Sequence, residues 1–263
     1  MEITAPAGFD AAVNAAFATI AHIHARMSFH EATSDLAAIR NAPAGQSIRL
    51  DCETVAVLRS AIALHQSTGG LFDVAVGRQL VESGFLPGDG IDLIECFDGT
   101  SADIVIEDDT HIRLRRPTLV DLGGIAKGYA VDRAVETLIG HAVPIGLVNA
   151  GGDLRAFGEV DWPVGLRDAD GTVRSQAIIR NCALASSANL LNRRWLGGVA
   201  QTPHIGRGGQ AVLAGGRTTV VAQSCAIADA MTKVAMIDPA LADRLLAQFE
   251  GHVVRDTVGQ EAA

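Results

Sequence analysis

The 263-residue chain lacks the marks of several protein classes. Its four cysteines, Cys52, Cys96, Cys182 and Cys225, are scattered with no CxxC pair, so their spacing suggests neither a zinc knuckle nor a disulfide framework. Four buried, reduced thiols are expected. No run of 18 or more apolar residues is present, so the sequence writes no membrane-spanning helix. The opening MEITAPAGFDAAV has neither a basic start nor an apolar h-region. A soluble, cytoplasmic protein is expected as written, unless a misplaced start has removed an export signal. Positive charge is also short. Lys and Arg number 21 against 30 Asp and Glu, a net charge of -9, and no basic patch offsets it. Nucleic acid is therefore excluded as a partner, because its phosphates would be repelled.

What is present is enough apolar content, 48% of residues, to bury a full core. Apolar residues recur at helical spacing over 10–27, with Phe17, Ile20 and Ile23 or His24 on one face. Helix continues over 33–39 behind a Thr33 or Ser34 cap, and a second strong helix over 53–68 ends at Gly69-Gly70. Residues 104–114 alternate as a hairpin around Glu107-Asp108-Asp109. Helix is predicted from Ala126 to about Leu138, then strand IGLVNA, then the turn Gly151-Gly152. VGLRD, QAIIR, ALASS and TTVVAQ read as further strands, and 226–236 and 239–249 as helices. Residues 206–216, rich in glycine, read either as a mobile loop or as a pair of tight turns. No repeat or composition shift divides the chain, so residues 1–263 are expected to form one domain.

The segment LVDLGGIAKGYAVDR, 119–133, concentrates chemistry. Leu119 and Val120 read as the end of a buried strand, Asp121 stands at the turn, and Gly123 and Gly124 let a ligand approach the backbone. Amides at the following helix N-terminus favour phosphate, and Lys127 adds a full charge. The segment is no P-loop, lacking Gly-Lys-Ser/Thr, and no dinucleotide fingerprint. A tight turn with a surface lysine accounts for it equally well.

Four other places carry paired readings. Asp73 lies between apolar neighbours in GGLFDVAVG, either as a cap or facing a ligand. VNAGGDLRAFG is strand, glycine turn and strand, structural alone or set against a planar ligand. Ser186 and Ser187 close a strand with two hydroxyls, for a ligand or for the turn. In SCAIADAMTKVAMI, Asp229 and Thr232 share a helix face; hard oxygens at that spacing suit magnesium, or the threonine simply bonds back to its helix. Lys233 is then an ordinary surface charge.

Together, MSFHEATSDLAAI (27–39), TGGLFDVAVG (68–77), VDLGGIAKGYAVDRA (120–134), LVNAGGDLRAFG (147–158) and ADAMTKVAMI (228–237) resemble the successive motifs of the ApbE family, in family order. The resemblance implies an α+β fold: a single compact domain with antiparallel sheet packed against helices and a flavin cleft. It also implies a magnesium-dependent FAD:protein FMN transferase, which joins FMN by a phosphoester to a Thr or Ser of an acceptor flavoprotein and releases AMP. Asp229 and Thr232 would hold Mg2+ by side chain and Gly124 by its carbonyl. Phe72, Asp73, Val74, Asp121 and Lys127 would hold FAD, with Gly151, Gly152 and Asp153 beside the flavin. His204 would activate the acceptor hydroxyl or orient phosphates, since a histidine titrates near neutrality; Asp229, His204 and Lys127 are thus the candidate catalytic groups. An FAD pyrophosphatase and a non-catalytic flavin carrier are the alternatives.

Four places depart from the family pattern. Met1-Glu2-Ile3-Thr4 begins where the family's opening strand should be half finished, His30 stands where relatives carry tyrosine and would have to supply the ring stacking, and HIGRGG replaces the run after the late histidine. Lys233 sits beside Thr232 where relatives have a second hydroxyl, and a lysine is no metal ligand.

Overall fold

Short polar residues ahead of apolar stretches fix where most helices begin. The structure, a computed structural model, describes residues 1–167, 172–189, 192–213 and 216–254. Helix α1 (Asp10–Met27) has no side-chain cap, but α2 (Asp35–Asn41) opens on Ser34, whose hydroxyl accepts the Ala37 amide at 3.1 Å. Asp51 caps α3 (Cys52–Ser67) through the Glu53 amide at 2.9 Å, and Gly69 and Gly70, both at positive φ, end it. Then come α4 (Gly77–Glu82) and α5 (Ala126–Gly140). Ser224 opens α6 (Cys225–Ile237), and Asp238 with Pro239 in the first turn opens α7 (Pro239–Leu246).

The strands are β1 (Glu2–Thr4), β2 (Ser47–Arg49), β3 (Ile104–Ile106), β4 (His111–Leu114), β5 (Gly146–Asn149), β6 (Leu154–Phe157) and β7 (Trp162–Arg167). After them come β8 (Val173–Ile179), β9 (Ala183–Ala188), β10 (Arg194–Leu196), β11 (Val199–Gln201), β12 (Arg217–Ala222) and β13 (His252–Val254). An antiparallel sheet of order β1-β5-β6-β9-β12-β13 is the frame, joined by a three-stranded sheet β2-β4-β3 and the hairpins β7-β8 and β10-β11. Its residues alternate between faces as a pleated strand requires. Val148, Phe157 and Ala183 pack with α1 and α5, whereas Leu154, Ala156 and Leu184 pack against Leu166 and Ile179 of the β7-β8 hairpin. A larger core joins α2, α3 and α6 to the three-stranded sheet. Each Leu, Ile or Val buried in these layers contributes about 1.5–3 kcal/mol.

Most predicted elements stand, with instructive differences. Phe17 is exposed, and the buried stripe of α1 is Ala12, Ala16, Ile23 and Met27, because small residues let α1 lie close to α5. Leu119 and Val120 are buried, yet they form no ladder strand. Two backbone bonds hold the segment instead, Gly77 N to Leu119 O at 3.0 Å and Asp121 N to Val74 O at 2.8 Å. Only Cys225 is buried; Cys52 and Cys96 are exposed and Cys182 is half-buried, all as free thiols. The strand VGLRD ends within β7 at Arg167, and Asp168 lies outside the described residues. Of the two readings for 206–216, tight turns prevail over 204–212, bound by Val212 N to His204 O and Gly206 N to Gln210 O, both 2.8 Å; 214 and 215 lie outside the described residues. The opening residues do pair, Glu2 opposite Asn149 and Thr4 opposite Leu147. Among the described residues, no helix is long and apolar enough to cross a membrane.

Candidate functional site

A cleft of about 660 Å³ opens where 71–76, 121–127, β9, the 203–205 turn and α6 converge. Phe72 and Val74 bring apolar surface to it, and Asp73, Asp121, Gly123, Gly124, Lys127, His204 and Lys233 also line it. The volume suits a medium-sized organic ligand.

Each wall is held by polar bonds to the backbone. Asp73 Oδ1 accepts the Ala75 amide (2.8 Å), the Ser101 amide (3.1 Å) and the Ser101 hydroxyl (2.6 Å), while Ser101 Oγ accepts the Val74 amide at 3.1 Å. His65 Nδ1 lies 3.2 Å from the other oxygen of Asp73. This carboxylate fixes the 72–75 loop rather than reaching freely into the cleft. Asp121 accepts the Gly123 amide at 3.1 Å; desolvation raises its pKa, which the amide and nearby His30 partly offset. Gly124 sits against its neighbours, since a Cβ there would meet Lys233 Cε at 3.6 Å and the Phe72 ring at 3.7 Å.

Charge forms the floor. Lys127 pairs with Asp153, and Lys233 pairs with Asp229. The carboxylates lie behind the wall, 2% and 0% exposed, with the ammonium groups on the cleft side. Burial pushes the Lys127 pKa down, but Asp229 and Asp153 outweigh it and hold the ammonium above its ordinary range. Asp153 is raised, by desolvation first and by the like charge of Asp229 next. Two lysines and two carboxylates therefore act as one cluster. Arg193 and Arg194 also line the cleft. In an acidic protein, such a concentration of cationic groups favours an anionic ligand.

Helix α6 is seated by Asp132, whose four bonds reach Ser224 Oγ (2.7 Å), Cys225 N (2.9 Å), Ala226 N (2.9 Å) and Arg155 (2.8 Å). Its first turn touches α5 at Gly128, where a Cβ would fall 2.6 Å from the Cys225 carbonyl carbon. Only glycine fits this crossing.

The predicted residues separate into groups. Phe72, Asp73, Val74, Asp121, Gly124, Lys127 and His204 line the cleft, while Asp153, Asp229 and Thr232 lie behind the wall. Gly151 and Gly152, at φ 72° and 108°, turn outside the lining. His30 is exposed, edge-on to Phe29 with ring centres 6.3 Å apart, and also outside it. His204 departs from its expected titration near neutrality: desolvation first, then the Lys233 charge, lower its pKa to about 4, and its buried Nδ1 has no hydrogen-bond partner among the described residues. Arg193, Arg194 and Phe85 were not anticipated, although the adjacent arginines before an exposed Trp195 were a usable signal.

The magnesium that the resemblance implies does not fit the donors as they stand. Asp229 Oδ1 is taken by Lys233, and Thr232 Oγ1 donates to the Asp229 carbonyl (2.7 Å) while bonding Ser187 Oγ (2.7 Å). A divalent ion there would have to compete with the Lys233 ammonium for the same carboxylate. Among the described residues, no group of three or more His, Cys, Asp or Glu is placed to hold a metal.

Comparison with known proteins agrees with this architecture. The model of the ApbE family matches residues 1–254. An FAD:protein FMN transferase of Treponema pallidum is 28% identical over 194 residues, 61% of this chain and 52% of that protein. One of Vibrio cholerae is 27% identical over 185 residues, covering 65% and 55%. The chain thus spans about half the length of these relatives. The crystal structure of the ApbE protein of Thermotoga maritima superposes with a TM-score of 0.82 at 23% identity, covering 95% of this chain and 88% of that one. The apo flavinyl transferase ApbE of Pseudomonas stutzeri gives 0.78 at 20% identity, covering 96% and 84%.

Proposed function

The chain belongs to the ApbE family, and from that premise we propose that it moves FMN from FAD to a threonine or serine hydroxyl of an acceptor flavoprotein. The observation that carries this reading is the cleft itself, in which Phe72 and Val74 share a wall with two ammonium groups backed by buried carboxylates. An apolar ring system joined to a diphosphate is a ligand of matching chemistry. FAD is such a ligand.

In the proposed reaction, the acceptor oxygen attacks the FMN-side phosphorus, a new P–O bond forms, and the pyrophosphate P–O bond breaks with its electron pair going to AMP. The hydroxyl proton must leave as that bond forms. His204, uncharged at pH 7 and lining the cleft, is the group we assign to take it. Lys127 and Lys233 oppose the negative charge that collects on the phosphates, and such transfers depend chiefly on positioning and electrostatics. Asp153 and Asp229 hold both ammonium groups in place, and together they keep the Lys127 ammonium charged.

The test is incubation with FAD and an acceptor domain bearing a candidate threonine, followed by mass spectrometry of the acceptor and assay of AMP. A gain of one FMN phosphoester with equal AMP is expected. AMP and FMN without acceptor gain would replace transfer by hydrolysis, and bound FAD with neither product would leave a carrier.

A further inference from the structure

Lys233 is held in a way that a surface lysine is not. Its side chain is 17% exposed, and its Nζ donates both to the carboxylate of Asp229 and, at 3.0 Å, to the Asp229 main-chain oxygen. An ammonium has three donors, so one is left for the cleft that the residue lines. Its Cε lies beside Gly124. The ammonium therefore rests on Asp229 and shares the Asp229 main-chain oxygen with the Thr232 hydroxyl; Gly124, Asp229 and Thr232 are the three residues to which the resemblance assigns a magnesium ion. Thr232 is spent on the Asp229 carbonyl and on Ser187.

We infer that the Lys233 ammonium is the resident cation of this cleft, and that the chain holds a diphosphate there without a divalent ion. The inference rests on the flavin reading for its ligand, but its cation half stands on the geometry alone. A tethered ammonium is present at every metal concentration and requires no octahedral shell. Lys127, backed by Asp153 in the same cleft, supplies a second fixed charge.

The experiment uses the full chain, with Mn2+ as a spin probe and flavin fluorescence for FAD affinity. The flavin-free protein is expected to take up no stoichiometric Mn2+, and its FAD Kd should agree within about twofold between EDTA and millimolar Mg2+. Lys233→Thr should bind FAD at least about tenfold more weakly in EDTA, regain affinity in Mg2+, and take up one Mn2+ per chain. Lys233→Arg should remain insensitive to EDTA. Uptake of one Mn2+ by the unaltered protein, or a tenfold loss of its FAD affinity in EDTA, overturns the inference, whether or not Lys233→Thr folds. Absence of FAD binding under both conditions refutes the flavin reading alone, since the Mn2+ titration still decides the cation.

Discussion

Asp132 is where the fold and the cleft meet, and its removal has a calculable consequence. Its buried carboxylate receives hydrogen bonds from Ser224, Cys225, Ala226 and Arg155, two on each oxygen. Asp132→Ala strands two buried amides and the Arg155 charge at once. Each buried amide left without an acceptor costs about 1–3 kcal/mol, and loss of the pairing with the partly exposed Arg155 about 1 kcal/mol. The terms overlap, so a net loss of about 4 kcal/mol is expected, a large share of the roughly 5–15 kcal/mol that holds a domain folded. Asp132→Asn keeps one acceptor oxygen and, turned correctly, donates to Ser224 Oγ, leaving one amide unsatisfied. It should cost about 2 kcal/mol. Arg155→Ala leaves the three α6 bonds intact and should cost about 1 kcal/mol, because Arg155 is partly exposed. Urea unfolding followed by far-UV circular dichroism measures all three. Asp132→Ala within about 1 kcal/mol of the unaltered protein, or Arg155→Ala costing as much as Asp132→Ala, would refute the claim that this carboxylate seats α6.

Three other perturbations have definite outcomes. Gly128→Ala places a methyl 2.8 Å from Ala226 Cα, so the helices must part and stability should fall by about 1–3 kcal/mol in the same assay. Ser101→Ala removes the hydroxyl that joins Asp73 to the Val74 amide, which should cost about 1–3 kcal/mol and weaken FAD binding, read by flavin fluorescence. His204 should make stability fall as pH drops. Its folded pKa of about 4 lies below the ordinary 6.5, so between these values the unfolded chain binds the proton and the folded chain does not. Its contribution is complete above about pH 6.5 and declines toward pH 4, by on the order of 3 kcal/mol at most. His204→Asn should flatten that part of a pH series of urea midpoints; an unchanged slope would assign it to other groups.

Local chemistry was the readable part of the sequence. Ser34, Asp51, Ser224 and Asp238 are short polar residues just before apolar runs, and each caps the helix that follows. The hairpin over 104–114 was legible for the same reason, because alternation and an acidic turn are both local. Partnerships across long separations were not. Asp132 meets the start of α6 more than 90 residues on, and Lys127 meets Asp153 across 26. Neither follows from spacing, since the sheet determines which helix ends come together.

Lys233 shows a different limit. Its carboxylate partner lies four residues back, a spacing at which helix side chains of opposite charge meet, so the pair was written locally. Asp229 and Thr232 three residues apart suggested a shared cation, and that pattern competed with the pair for the same carboxylate. Geometry separates the two readings. The threonine hydroxyl turns back onto its own helix, and Lys233, its Cε beside Gly124, puts its ammonium on the Asp229 carboxylate. A burial pattern sharpens the point: Asp229 is wholly enclosed, and burying a charge is costly unless it is paired and hydrogen-bonded. A soluble ion meets that need only while bound. Lysine meets it from within the chain, so the helix keeps its charge balance whether or not a diphosphate occupies the cleft.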